Sequence, residues 1–142
     1  MPQFPTDLEE QSLDGKKIIL AEDEDRLRTI VTMMLEELGA EVLTVADGES
    51  AIEAYCQSSE EIDAVFLDVR MAGLSGVTTF KRLLESDPKV KVVLSSGVLP
   101  EDSMMGEITK NGGSFIEKPF NLIQLSAAIA KILQGEAVIW TL

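Results

Sequence analysis

Short apolar runs alternate along this chain with stretches whose apolar residues recur every three or four positions. The runs fall at residues 17–21, 41–46, 62–67, 90–94 and 114–117, and each has the length of a strand. Between them, Leu27, Ile30, Val31, Met34, Leu35 and Leu38 mark one helical face, and Ala51, Ile52 and Tyr55 a shorter one. Val77, Phe80, Leu83 and Leu84 mark a third, Met104, Met105 and Ile108 a weak fourth over 100–110, and Leu122, Leu125, Ile129, Ile132 and Leu133 a strong fifth. Gly39, Asn111-Gly112-Gly113 and Gly135 stop three of these helices, and Asp87-Pro88 stops another. Strand followed by helix, five times over, predicts an α/β domain with a parallel sheet covered on both faces. Glu41 and Thr44 make the second strand an edge. Right-handed crossovers then place every strand's carboxyl end along one side, where open sheets bind ligands.

The polar residues that interrupt the apolar pattern gather at those ends. Glu22-Asp23-Glu24-Asp25 follows the first strand, Asp68 closes the third, Ser95-Ser96-Gly97 follows the fourth and Lys118-Pro119 the fifth. Each has a plainer role if taken alone. Asp23 or Asp25 would cap the next helix, Asp68 a turn, and Lys118 would face solvent. Two rival chemistries fit poorly. A nucleotide-binding protein needs a glycine-rich loop after the first strand, where this chain carries four acids. A phosphatase with an aspartate nucleophile usually has a second aspartate two residues on, where this chain has Arg70, and places its nucleophile on the first strand.

Composition narrows the field further. The 142 residues carry 12 basic against 25 acidic side chains, a net charge of −13 with no histidine. Such a chain suits divalent cations or basic protein surfaces, and argues against nucleic acid and anionic membranes as partners. Cys56 is the single cysteine, so no intrachain disulfide forms, and its context suggests a half-buried packing residue. The start of the chain is polar and acidic, unlike a signal peptide, and no apolar run approaches the ~20 residues of a membrane span. The expected location is the cytoplasm. The expected organisation is an acidic flexible leader at 1–15, one domain at 16–134 and an apolar tail at 135–142. That tail either packs on the domain, forms a homodimer contact or is a severed linker.

Ala21-Glu22-Asp23-Glu24, Asp68-Val69-Arg70-Met71 with Gly76, Ser96-Gly97 and Lys118-Pro119-Phe120, in this order, make residues 16–134 resemble the response-regulator receiver family of two-component signalling. The resemblance implies a flavodoxin-like (βα)5 three-layer sandwich with strand order 2-1-3-4-5. It implies that Asp68 is the phosphoacceptor, charged by a histidine kinase or histidine phosphotransfer protein. Lys118, followed by a proline bond that the family makes cis, and Ser96 would assist; Ser95 is the alternative hydroxyl. Asp23, Asp68 and the backbone carbonyl of Arg70 would hold Mg²⁺, or Mn²⁺ in its place, with Glu22 ligating directly or through water. Ser96 and Phe115 would form the switch, although Phe115 reads equally well as a core residue. A downstream protein would then read the face from Pro100 to Lys110, Ser114 to Glu117 and Asn121 to Leu133. The implied protein is a phosphorylatable switch rather than an enzyme, free-standing or cut from a hybrid kinase or longer regulator. A pseudo-receiver that binds partners without phosphorylation would keep the same residues. Ala72 and Glu22 stand where the family more often has proline and aspartate.

Overall fold

A computed structural model describes residues 4, 5 and 7–142. Strands β1 (Lys17–Ala21), β2 (Glu41–Val45), β3 (Ala64–Asp68), β4 (Val92–Ser96) and β5 (Ser114–Glu117) alternate with helices α1 (Asp25–Glu37), α2 (Gly48–Ser58), α3 (Gly76–Ser86), α4 (Asp102–Lys110) and α5 (Leu122–Leu133). A sixth strand, β6 (Ile139–Trp140), follows α5. All neighbours pair in parallel, in the order β2-β1-β3-β4-β5-β6. The five expected strands thus keep the expected order, with β2 at the edge, and β6 extends the sheet beyond β5.

Two cores lie on opposite faces of this sheet. One joins Ile19, Val65, Leu67, Leu94 and Phe115 to Tyr55 of α2, Phe80 and Leu83 of α3, and Met105 and Ile108 of α4. The other joins Ile18, Leu20, Phe66, Val93 and Ile116 to Val31 and Leu35 of α1 and Leu125, Ala128 and Ile129 of α5. Alternate residues of each central strand feed alternate faces, which is why β3 and β4 are buried at every position.

Four differences from the sequence reading have local causes. β4 starts and ends two residues later than expected. The Val90 N–H closes a turn onto the Asp87 carbonyl at 3.1 Å, so Val90 belongs to that turn. Ser95 extends the strand because its buried hydroxyl donates to the Ile116 carbonyl at 2.9 Å and its polarity is satisfied. Residues 4–15 were expected to be a flexible leader. Instead Leu13 is 1% exposed, with its N–H on the Leu38 carbonyl at 2.8 Å, and the Gln11 N–H reaches Ser126 Oγ at 2.9 Å. For residues 1–3 and 6 that expectation lies outside the described residues. Within the expected tail, Ile139 and Trp140 form β6 on the edge of β5, a strand the sequence reading does not expect. Cys56 is exposed, because the inward stripe of α2 falls on Ala51 and Tyr55. Among the described residues no helix is long and apolar enough to cross a membrane.

Candidate functional site

Parallel register brings the polar strand ends level. Asp68 pairs with Ser95, and Ser96 with Glu117. Backbone bonds from Val69 N–H to the Ser95 carbonyl (2.8 Å) and from Lys118 N–H to the Ser96 carbonyl (2.9 Å) carry the alignment one residue past each strand. Glu22 follows β1, its N–H bonded to the Val45 carbonyl at 3.2 Å. The Lys118–Pro119 bond is cis.

The side chains converge on an open cleft of about 360 Å³ lined by Glu22, Asp23, Asp68, Arg70, Ser96 and Lys118. Lys118 Nζ donates to Asp68 Oδ1 at 2.8 Å and to Glu22 Oε1 at 3.0 Å, across 50 and 96 residues of sequence respectively. Glu22 is 3% exposed and Asp68 7%. Burial pushes the Asp68 carboxyl above its ordinary value, against the lowering effect of Lys118, and the charge of Asp23 adds to the rise. Burial alone would lower the Lys118 ammonium, but its bonds to Asp68 and Glu22 outweigh that and raise it. The site therefore holds a charged lysine bridging two acids that have little water to share.

Oxygens of Glu22, Asp23 and Asp68 all lie within 4.8 Å of one another. An all-oxygen carboxylate set at one strand edge fits a hard divalent cation such as Mg²⁺. The capping alternative for these acids fails. The N-cap of α1 is Glu24, with no side-chain capping bond, and Asp23 Oδ2 instead accepts the Ala72 N–H at 3.1 Å. That bond joins the loop after β1 to the loop after β3. Ser96 Oγ faces the cleft and accepts the Val98 N–H at 3.1 Å. Phe115 is the one candidate outside the cleft. It is 0% exposed within the α2–α4 core.

Three contributors were given no contact at the site by the sequence reading. Arg28 donates to the Glu22 carbonyl at 2.8 Å and also bonds Asp25, fastening the acidic loop to α1; the Asp25–Arg28 helical spacing was the available signal. Ala72 contributes a backbone N–H, which no side-chain pattern encodes. Gly76 backs onto Asp68: a Cβ there would lie 2.3 Å from the Asp68 carbonyl oxygen.

The chain is similar to known proteins. Residues 18–130 match the sequence model of the response regulator receiver domain. The response regulator GacA of Pseudomonas aeruginosa is 30% identical over 126 residues, covering 87% of this chain and 58% of GacA. The chemotaxis protein CheY of Thermotoga maritima is 25% identical over 119 residues, covering 83% of this chain and 98% of CheY. The sensor kinase CckA of Brucella abortus is 30% identical over 127 residues, which are 84% of this chain but 13% of the kinase. The chain thus spans a small part of one relative, about half of another and nearly all of a third. A crystal structure of a response regulator receiver protein from Sinorhizobium medicae superposes with a TM-score of 0.72 at 31% identity, covering 87% of this chain and 98% of that one.

Proposed function

The chain belongs to the response-regulator receiver family, the phosphoacceptor switches of two-component signalling, and on that premise we propose that Asp68 takes the phosphoryl group. The observation that carries the assignment is the 2.8 Å bond from Lys118 Nζ to Asp68 Oδ1 in a cleft shared with two further acids. A carboxylate oxygen of Asp68 attacks phosphorus, and the bond from phosphorus to the donor's nitrogen or oxygen breaks with its electron pair. Burial strips water from that carboxylate and leaves it a more reactive nucleophile. Lys118 gives up its bond to Asp68 Oδ1 and neutralises the incoming phosphoryl oxygens. Ser96 offers its hydroxyl from the end of β4, the strand between those of Asp68 and Lys118. Such transfers depend on placement and charge neutralisation more than on covalent help.

Glu22, Asp23 and Asp68, with the backbone carbonyl of Arg70, would hold Mg²⁺, with Mn²⁺ as a substitute. Bound there, a divalent cation would supply charge neutralisation for the transferred group. The donor is a histidine kinase or histidine phosphotransfer protein. The readout is a face built from α4, β5 and α5, which a downstream protein engages in the cytoplasm. Residues 16–134 form the receiver body. The phosphoryl group adds charge and acceptor oxygens, and the Ser96 loop moves to meet them.

Incubation with acetyl phosphate and Mg²⁺ tests the assignment. Intact mass is expected to rise by one phosphoryl group in the wild type and to stay unchanged in Asp68→Asn. Equal gain in both proteins refutes the role of Asp68.

A further inference from the structure

β6 pairs with the outer edge of β5, and its flanking bonds land on the strand that leads into Lys118, apart from the bond that the Phe4 N–H donates to the Thr141 carbonyl at 3.4 Å. Phe115 N–H donates to the Val138 carbonyl at 3.0 Å, Val138 N–H to Ser114 Oγ at 2.9 Å, and Leu142 N–H to Glu117 Oε1 at 2.8 Å. Ile139 pairs with Phe115 and Trp140 with Ile116. Strand alternation sends Ile139 to the core on one face of the sheet and Trp140 to the core on the other. The β5 edge therefore offers one apolar slot on each face. Phe4 lies over the second slot, its ring stacked on Trp140 at 4.9 Å and 8°.

The attachment is built to yield. The strand is two residues long, and two of its flanking bonds end on side chains. Gly135, at φ 84°, turns the chain out of α5 just before it. Trp140 is 5% exposed, yet its indole N–H has no acceptor among the described residues. A buried donor left unpaired offsets part of the gain from burying the ring. The strand is also wired to the cleft. Glu117, which holds the Leu142 N–H, immediately precedes Lys118 and pairs with Ser96.

We propose that the outer edge of β5 is a binding site for an extended segment carrying an aliphatic residue followed by a large aromatic one. Residues 138–142 fill it as the chain's own removable ligand, and phosphorylation at Asp68 loosens them, so that a partner strand of the same pattern adds to the sheet. The phosphorylation clause rests on the reading of Asp68 given above; the edge site does not.

Trp140 is the single tryptophan of the chain, so its fluorescence reports the strand in the intact protein. The probe is a synthetic peptide of residues 137–142 with phenylalanine replacing tryptophan and a lysine tag for solubility. Saturable displacement is expected, read as increased acrylamide quenching of Trp140. Phosphorylation, verified by intact mass in the same samples, is expected to lower the half-saturating peptide concentration about tenfold. Trp140 remaining protected at saturating peptide overturns the edge site. Equal peptide affinity before and after a verified mass gain overturns the coupling while leaving Asp68 as the acceptor. Absence of any mass gain overturns the coupling together with the phosphoacceptor role, and the displacement arm still decides the edge site.

Discussion

Gly76 holds the backbone of Asp68 in place from behind. Its N–H bonds the Val69 carbonyl at 2.9 Å, and any Cβ would strike the Asp68 carbonyl. Gly76→Ala is expected to cost about 1–3 kcal/mol by overpacking, seen as a lower urea midpoint, and to slow phosphorylation by shifting Asp68. Lys118 bonds two carboxylates at rest, and in the proposed transfer it neutralises the phosphoryl group instead. Lys118→Ala leaves Glu22, Asp23 and Asp68 without their ammonium. Mg²⁺ affinity by titration calorimetry is then expected to rise about tenfold, while the rate of phosphoryl gain falls about a hundredfold or more. Parallel losses in both would show that the lysine only supports the fold.

Among the elements, α5 has the best-formed start. Asn121 Oδ1 accepts the Gln124 N–H at 2.8 Å, and Gln124 Oε1 accepts the Asn121 N–H at 2.9 Å. Asn121→Ala should remove about 1 kcal/mol of stability in urea unfolding. Tyr55 of α2 donates its hydroxyl to Asp87 Oδ2 at 2.7 Å, tying α2 to the end of α3. Burial, then the bond to Asp87, raises the Tyr55 phenol above its ordinary value. The same bond holds Asp87 below the usual carboxylate range. Strand legibility in the sequence followed side-chain physics. The apolar runs gave β1, β3 and β5 within two residues. The end of β4 was hidden, since serine signals a turn unless a partner such as the Ile116 carbonyl satisfies it. β6 was hidden because Ile139 and Trp140 are too few to show a period, and only the open edge of β5 makes them a strand.

Across the whole molecule, the site was legible because topology, not sequence proximity, gathers it. Alternating strands and helices, with right-handed crossovers, oblige residues 22, 68, 96 and 118 to share one edge. Backbone donors such as Ala72 N–H, and the contact behind Gly76, were not legible, since they depend on loop paths that side-chain identity does not set. Folding stability should respond to alkaline pH. Tyr55 and Lys118 both bind their protons more tightly in the fold than in the unfolded chain. Their contribution is complete below the unfolded values of about 10 and 10.4 and is lost progressively as pH rises from there through the higher folded values. Melting temperature is expected to fall as pH climbs above about 10, less steeply in Tyr55→Phe; identical slopes would remove Tyr55 from the account.

The central claim is that one carboxylate, Asp68, becomes an acyl phosphate, and its most direct test identifies the residue chemically. Borohydride reduces an aspartyl phosphate to homoserine. After phosphorylation with acetyl phosphate and Mg²⁺, reduction and proteolysis, peptide mass spectrometry should find homoserine at position 68. Unaltered Asp68 beside homoserine at Asp23, or beside a stable phosphate ester on Ser96, would contradict the account.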